Sequence, residues 1–471
     1  MSQPLKPINL PEPSQQRSYS SLDPLDSRYY DAEIAKYLSE RSRIAYQAYV
    51  ESALAQTLAQ YNICSQTIAD QISAAAGQVD VESVYEEEQT TRHDIKALVN
   101  CIKAKLPEEA QPFVHFGATS YDIIATANSL QMRGVCQQVV LPRLKELLKT
   151  LADLANKYAD TTQIGRTHGQ HAVPVTFGFA IAEYLSRLGT STLAIHALSQ
   201  ELTGKFSGAV GAYNALSIFI DDPIQFETDL LAKVGLQPAN YSTQIIPAEG
   251  MVRLIDEMAI AAGIMANLGH DMRHLQRTEI GEVRERFEAG QTGSSTMAHK
   301  RNPWNFENVV SMSKQVIAQT VNANLNLSSE HQRDLTDSAS SRFYALVPAS
   351  LASMTKRLNN IMSKLEVDAV AMQNNLALTG GAIAAEPLYL LFEKYGHTQA
   401  HEKAKALAHA AGDHNKTLIE IIKNDAEAAT YWQKFSDREK QIIEDPAQHY
   451  SGLAAKKAKL LVKQWSKQLE L

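Results

Sequence analysis

Cysteine is scarce in this chain: Cys64, Cys101 and Cys136 are all it has in 471 residues. No two are close enough in sequence to suggest a zinc knuckle, and three thiols do not make a disulfide framework. That usage fits a reducing cytosol, and the fold must rest on its apolar core. Positive charge is not in excess either. Lys and Arg total 45 against 52 Asp and Glu, a net charge of −7, which argues against a general binder of nucleic acid or of membrane surfaces. The longest apolar patch, near Met258 to Leu268, is too short to span a bilayer. No N-terminal segment joins a basic region to an apolar run, so the expectation is a cytoplasmic protein. There is no G-x-G-x-x-G, no P-loop and no repeat of roughly 20 to 50 residues. Proline is missing from two long stretches, Ala32 to Leu106 and Ala248 to Asn302.

What is present describes a helical protein. Apolar residues make up 44% and charged residues 21%, an ordinary globular balance over a length that suggests roughly two to four domains. The proline-free stretches are rich in Ala, Gln, Leu, Met and Glu, which favour helix. Leu144, Leu147, Leu148, Leu151 and Leu154 share one face of a helix predicted from Leu141 to Tyr158. At ~1.5 Å per residue, three-quarters of the 248–302 stretch makes a helix of roughly 60 Å. Two more long helices are predicted, from Pro303 to about Leu327 and from Phe343 to about Leu365. Few strand signals interrupt them, so the fold class is all-α, a helix bundle rather than a Rossmann or barrel enzyme. The domain reading is a flexible, proline-bearing arm over 1–20, an N-terminal helical domain over 21–116, a central long-helix bundle over 117–367 and a C-terminal helical domain over 368–471.

Four blocks stand out from this helical text. The most distinctive is Gly293-Ser294-Ser295-Thr296-Met297-Ala298-His299-Lys300-Arg301-Asn302-Pro303. Gly290 and Gly293 flank small hydroxylated residues, which suits a loop. The loop then empties into cations, with Asn302 as a cap and Pro303 starting a helix. Unpaired N–H groups and the dipole make such a helix start a collector of anions. The second block is His115-Phe116-Gly117-Ala118-Thr119-Ser120-Tyr121-Asp122. The third is Gly165-Arg166-Thr167-His168-Gly169-Gln170-His171. The fourth runs from Gln332-Arg333 to Ser338 and Arg342. His168 with His171, His270 with His274 and His397 with His401 have spacings seen in metal sites. No nearby carboxylate or cysteine completes the first pair, and the other two lack the intervening glutamate of a zinc-protease helix, so no metal is expected.

The first block resembles the signature of the fumarase/aspartase superfamily of lyases, G-S-S-x-M-P-x-K-x-N-P, with Ala298 in place of the usual proline. Its His-Lys-Arg-Asn-Pro ending and the other three blocks are similar to the adenylosuccinate lyase family. The second block departs from the family by carrying Ala125 where an aspartate is common. The resemblance extends from Leu22 to about Glu402 and implies a three-domain, all-α lyase whose central bundle forms a tetramer core. It implies β-elimination of fumarate from adenylosuccinate and from succinyl-carboxamide imidazole ribotide, with no cofactor.

That chemistry needs a base for a carbon-bound proton, stabilisation of a growing dianionic carboxylate, and an acid for the leaving nitrogen. By the resemblance Ser294 is the base and His168 the acid, with Glu307 orienting the histidine and Lys300 supporting catalysis. Lys300 and Asn302 grip the succinyl carboxylates beside Thr119, Ser120 and Thr167. Arg28, Tyr29, Arg333, Ser338 and Arg342 match phosphate-binding positions. Arg92, His93, Asp94, His115, Gln244 and Asn308 match further substrate contacts. The resemblance also implies a homotetramer with shared sites. Two other readings stand beside this one: a superfamily lyase acting on argininosuccinate or aspartate, and a catalytically silent structural protein of the same fold.

Overall fold

The computed structural model describes residues 4–13, 20, 22–287, 296–297, 299–413 and 416–471. The chain forms two compact units. The first comprises Met1–Leu144, Ser191–Gly263 and Ser311–Lys356; the second comprises Lys145–Thr190, Ile264–Val310 and Arg357–Leu471. The chain passes between them inside five long helices: Leu141–Lys157, Phe177–Gln200, Glu249–Leu275, Trp304–Leu325 and Leu346–Met362.

In the first unit the proline-free run forms five helices, Ala32–Leu38, Glu40–Gln60, Gln66–Ala76, Val81–Thr91 and Asp94–Lys103. Asp31, Ser39, Ser65 and Asp80 cap the first four, each accepting a first-turn N–H that has no partner inside its helix. Thr91–Asp94 is therefore a break between helices rather than part of one. Arg92 ends one helix at φ +50° and His93 caps the next. Leu54, Leu58, Ile72, Ile95 and Leu98 meet Phe206, Phe226 and Leu230 in one core. The proline-bearing start is docked over residues 4–13, unlike the flexible arm its composition suggests. Leu10 is buried in that core, Leu5 N–H donates to the Lys233 carbonyl at 3.2 Å, and Tyr49 Oη donates to the Lys6 carbonyl at 3.3 Å.

The long helices are set side by side by polar pairs. Asn324 donates to Asp256 within the first unit, and a Cβ on Gly269 would meet the Phe306 carbonyl at 3.3 Å within the second, so the 249–275 and 304–325 helices run antiparallel. Arg143 donates to the Ala352 carbonyl, and Thr150 to Asn359, so the 141–157 and 346–362 helices run parallel. On the 141–157 helix Leu144, Leu147, Leu148 and Leu151 are fully buried, as their spacing predicts. The Glu249–Leu275 helix has 27 residues, about 40 Å at ~1.5 Å each, well short of the predicted length. It stops because Gly281 turns left-handed at φ +63° and the Glu282 N–H folds back to the Leu275 carbonyl at 2.9 Å.

The second unit contains the strands that the sequence signals did not announce. β1 (Thr162–Thr167) and β2 (Gln170–Thr176) form an antiparallel hairpin, and β3 (Val283–Arg284) pairs with β4 (Glu366–Val367). The C-terminal helices have a core of their own, including Phe392, Leu407, Ile422, Trp432 and Ile443. Cys64, Cys101 and Cys136 are free thiols. Among the described residues no single helix is long and apolar enough to cross a membrane.

At Gly178 the 177–200 helix crosses the end of the 141–157 helix. A Cβ there would stand 2.3 Å from the Ala155 carbonyl oxygen and 2.6 Å from the Ala159 backbone. Gly178→Ala should destabilise the fold by about 1–3 kcal/mol through overpacking, read as a lower thermal midpoint. An unchanged midpoint would show that this crossing opens without strain.

Candidate active site

The first unit gathers residues from four separated regions of sequence. His93 caps its helix by accepting the Lys96 N–H on Nδ1, and its Nε2 lies 3.4 Å from Ser120 Oγ. Asp94 lies 3.5 Å from the Arg342 guanidinium. Arg333 stacks over the Tyr121 ring at 4.0 Å, hydrogen-bonds the Tyr121 hydroxyl, and pairs with Asp337 at 2.7 Å. Gln244 donates its backbone N–H to the Gln332 carbonyl at 3.1 Å. The 91–94 turn, the start of the 120–135 helix, Gln244 and the 332–342 segment therefore form one cluster, with Arg333 and Arg342 paired into it. Ser338 is exposed on that segment. Arg92 is exposed beside His93, and Arg28 and Tyr29 lie in the turn after the Pro24–Asp26 helix, with the Tyr29 N–H on the Pro24 carbonyl.

Buried charge holds the floor of this cluster. Thr119 and Asp122 form a capping box in which the carboxylate accepts the Thr119 N–H at 2.8 Å. The same carboxylate accepts the Ser207 and Gly208 N–H groups at 3.1 and 3.2 Å and pairs with the Lys205 ammonium, both side chains being fully buried. His115, at φ +61°, sets Nδ1 2.6 Å from the buried Glu51 carboxylate. Burial alone would lower the His115 pKa, but the Glu51 charge and hydrogen bond outweigh it and raise it above the ordinary value.

In the second unit His168 and Gly169 form the two-residue turn between β1 and β2, with φ +53° and +75°. Both residues left-handed is the hairpin geometry that matches strand twist. His168 is exposed at the tip, with Thr167 beside it. Beneath the tip, Arg166 makes a two-pronged ion pair with buried Glu282 at 2.6 and 3.2 Å. Burial and the Arg166 charge lower the pKa of nearby His171.

The helix start after Pro303 does attract an anion, but the anion is a protein carboxylate. Buried Glu285 accepts the Phe306 N–H at 2.9 Å, the Asn305 side-chain amide at 2.9 Å and the Asn305 N–H at 3.4 Å. Burial raises its pKa despite these donors. Glu307 lies 3.5 Å from Arg273, and among the described residues no hydrogen bond joins it to His168. Lys300 is exposed, its N–H on the Met297 carbonyl; Asn302 and Asn308 flank the helix start, half-buried. Ser294 and Ser295 lie outside the described residues.

Among the described residues no three His, Cys, Asp or Glu side chains converge into a metal-binding cluster. His270 instead faces Arg273, and His397 is stacked on Phe392. Reading the motifs alone passes over Tyr121, Lys205, Glu51, Glu282 and Glu285. The T-x-x-D spacing at Thr119 is a capping-box signal that identifies Asp122. The partners of the others lie too far along the chain to be read from spacing.

A lyase family model matches residues 26–318, and the adenylosuccinate lyase C-terminal model matches residues 329–438. The chain is 35% identical to the adenylosuccinate lyase of Pyrococcus horikoshii, covering 94% of this chain and 97% of that one. It is 33% identical to the adenylosuccinate lyase of Archaeoglobus fulgidus, covering 93% and 98%. A solved 3-carboxy-cis,cis-muconate lactonizing enzyme from Pseudomonas putida superposes with a TM-score of 0.84 at 26% identity, covering 95% of this chain and all of that one.

The His115–Glu51 pair makes stability depend on pH. Because the folded histidine has a raised pKa, the pair's contribution is complete below its ordinary value of 6.5 and is lost as pH rises through the folded value. Glu51→Gln should therefore cost about 1.5–3 kcal/mol in mildly acidic buffer and progressively less toward pH ~9. Thermal midpoints of both proteins across that range test this. A gap that stays constant with pH would mean that His115 is not charged in the folded state.

Proposed function

The chain belongs to the adenylosuccinate lyase family of the fumarase/aspartase superfamily, and from that premise we propose that it eliminates fumarate from adenylosuccinate and from succinyl-carboxamide imidazole ribotide. Ser294 takes the proton from the carbon next to a carboxylate. Its hydroxyl is a poor base until the site removes its own proton, for which Lys300 and the loop N–H groups supply positive field. The carbanion's charge spreads into that carboxylate, held by Lys300 and Asn302 with Thr119, Ser120 and Thr167 as neighbours. His168 protonates the leaving nitrogen as the C–N bond breaks. AMP or the aminoimidazole ribotide leaves with fumarate, and the step needs no metal or cofactor.

The observation that carries the nucleotide reading is the cluster in the first unit. Two arginines are joined there to the 93–94 turn, Ser120 and Tyr121. A phosphate needs such a patch in a chain of net charge −7, whereas an amino-acid substrate does not. Arg28, Tyr29, Ser338, Arg333 and Arg342 take the phosphate; Arg92, His93, Asp94, His115, Gln244 and Asn308 take the rest of the nucleotide and the succinyl group.

The working form in this proposal is a cytoplasmic homotetramer with sites shared between subunits. Ile317, Val321 and Leu325 repeat every four residues on the 304–325 helix and are 45%, 64% and 71% exposed. Such a stripe calls for a second copy to cover it. The pairing of Glu307 with Arg273 supports the same reading, since Glu307 would then orient the His168 of another subunit. The separate core at 384–443 supports a distinct C-terminal helical domain.

Following AMP and fumarate by absorbance, Ser294→Ala and His168→Ala should each lose at least ~10²–10⁴ in turnover. Mixing the two inactive proteins under conditions of subunit exchange should restore activity, because roughly a quarter of sites in random tetramers regain both residues. Near-normal turnover in either variant overturns its assigned role. Exchanged mixtures without recovered activity overturn the shared site.

A further inference from the structure

His168 makes no hydrogen bond among the described residues, so its position is set from below. It sits on a left-handed two-residue turn, and β1 beneath it is bulged at Gly165, where a Cβ would meet the Val173 carbonyl at 2.7 Å. A short, irregular stem of this kind needs an outside hold. The hold comes from Glu282, which is fully buried. Its carboxylate takes both prongs of Arg166, the Gln163 side-chain amide at 2.7 Å and the Asn375 side-chain amide at 2.7 Å. Four donors on one carboxylate leave it fully compensated, and two of the three donating residues lie on β1. Glu282 is itself fixed at both backbone atoms, its N–H on the Leu275 carbonyl and its carbonyl under the Asp368 N–H, both at 2.9 Å.

Three residues on, Glu285 grips the helix start that carries Glu307, as described above, and its own N–H is held by the Gln276 side chain at 2.9 Å. One short segment therefore fastens the histidine hairpin with its first carboxylate and the Glu307 helix with its second. Residues beyond it lead to Ser294.

We propose that Glu282 is a positioning residue for the elimination: by clamping Arg166 it fixes the hairpin whose tip presents His168. The inference rests on the reading of His168 as the acid. Glu282→Gln replaces one acceptor oxygen by an NH₂ group that faces a guanidinium N–H, so Arg166 is released. Glu282→Asp keeps the charge but is one methylene short.

The test is a cycle of single and double variants in the full-length protein, with kcat, KM and thermal midpoint measured for each. E282Q should lower kcat on the order of 10–100-fold with KM changed by less than about threefold, and E282D should recover part of the loss. In an H168A background the same E282Q change should cost no further turnover, because the residue it positions is gone. Equal fold-losses in both backgrounds would overturn the proposal by showing general structural damage, and so would an E282Q enzyme of wild-type kcat. If E282Q does not fold, Arg166→Lys takes its place in the same cycle and is judged by the same outcomes. Wild-type turnover in H168A would instead overturn the acid assignment, a result distinct from either failure of the Glu282 cycle.

Discussion

Carboxylates placed where water cannot reach them hold this site scaffold together. The buried acidic side chains among the described residues are Glu51, Asp122, Glu227, Glu282 and Glu285. Left alone, each would carry a desolvation penalty of several kcal/mol. Each is compensated by donors from a distant segment of the chain. Glu51 faces His115, and Asp122 gathers Thr119, Lys205 and the 207–208 backbone. Glu227 accepts the Phe206 N–H, next along that backbone, and the Tyr213 hydroxyl, both at 2.5 Å. Glu282 and Glu285 do the same for the hairpin and the 304–325 helix. Loops cannot satisfy their own N–H groups as helices do, and a carboxylate with several acceptor sites orders an irregular segment without regular structure.

This arrangement explains where backbone strain is tolerated. Arg92, His115 and His168, all read as site residues from sequence, have φ between +50° and +61°. A left-handed conformation in a residue with a Cβ costs roughly 1–2 kcal/mol and persists only where the surroundings over-determine it. For His115 that surrounding is Glu51; for His168 it is the Glu282 clamp and the freedom of Gly169. At Arg92 the left-handed cap ends one helix so that His93 can start the next, with its Nε2 near Ser120. The strained positions and the buried anions are two sides of one device, which aims side chains that helices alone would point elsewhere.

The sequence reveals the helices and the four motif blocks because both are local. Leucine spacing, capping residues and the absence of proline place the 141–157, 304–325 and 346–362 helices to within a few residues, while the 177–200 helix carries no expectation from sequence. The 249–275 helix is the exception, and the reason is physical: Gly281 and the returning Glu282 N–H end it, and nothing in its composition does. The hairpin is legible only in hindsight, through the His168-Gly169 turn and the β-branched residues of Gln170–Thr176. Of the anchoring carboxylates only Asp122 is legible, through its capping-box spacing from Thr119, and its ion pair is not. Glu282 lies 116 residues from Arg166 and Lys205 83 from Asp122, and no periodicity connects such partners. The docked N-terminal segment escapes for the same reason, since proline content describes its stiffness and not the groove that receives Leu10.

The scaffold and the substrate contacts separate along this line. A lactonizing enzyme shares the fold at a TM-score of 0.84, so the fold does not by itself select a substrate. The anchoring carboxylates belong to the scaffold, because their partners are groups of the protein itself: backbone N–H groups, side-chain amides, a tyrosine hydroxyl and cationic side chains. Under the proposed function, specificity then falls to groups facing outward from those anchors. Arg342, His93 and Ser120 are such groups: Arg342 and His93 are more than half exposed on their side chains, Arg342 pairs with Asp94, and His93 meets Ser120. The 332–342 segment that supplies the arginines falls within the C-terminal family match. A change of substrate within this architecture would therefore act on that segment and on the 91–94 turn, while a change at Glu282 or Asp122 would alter how well any substrate is handled.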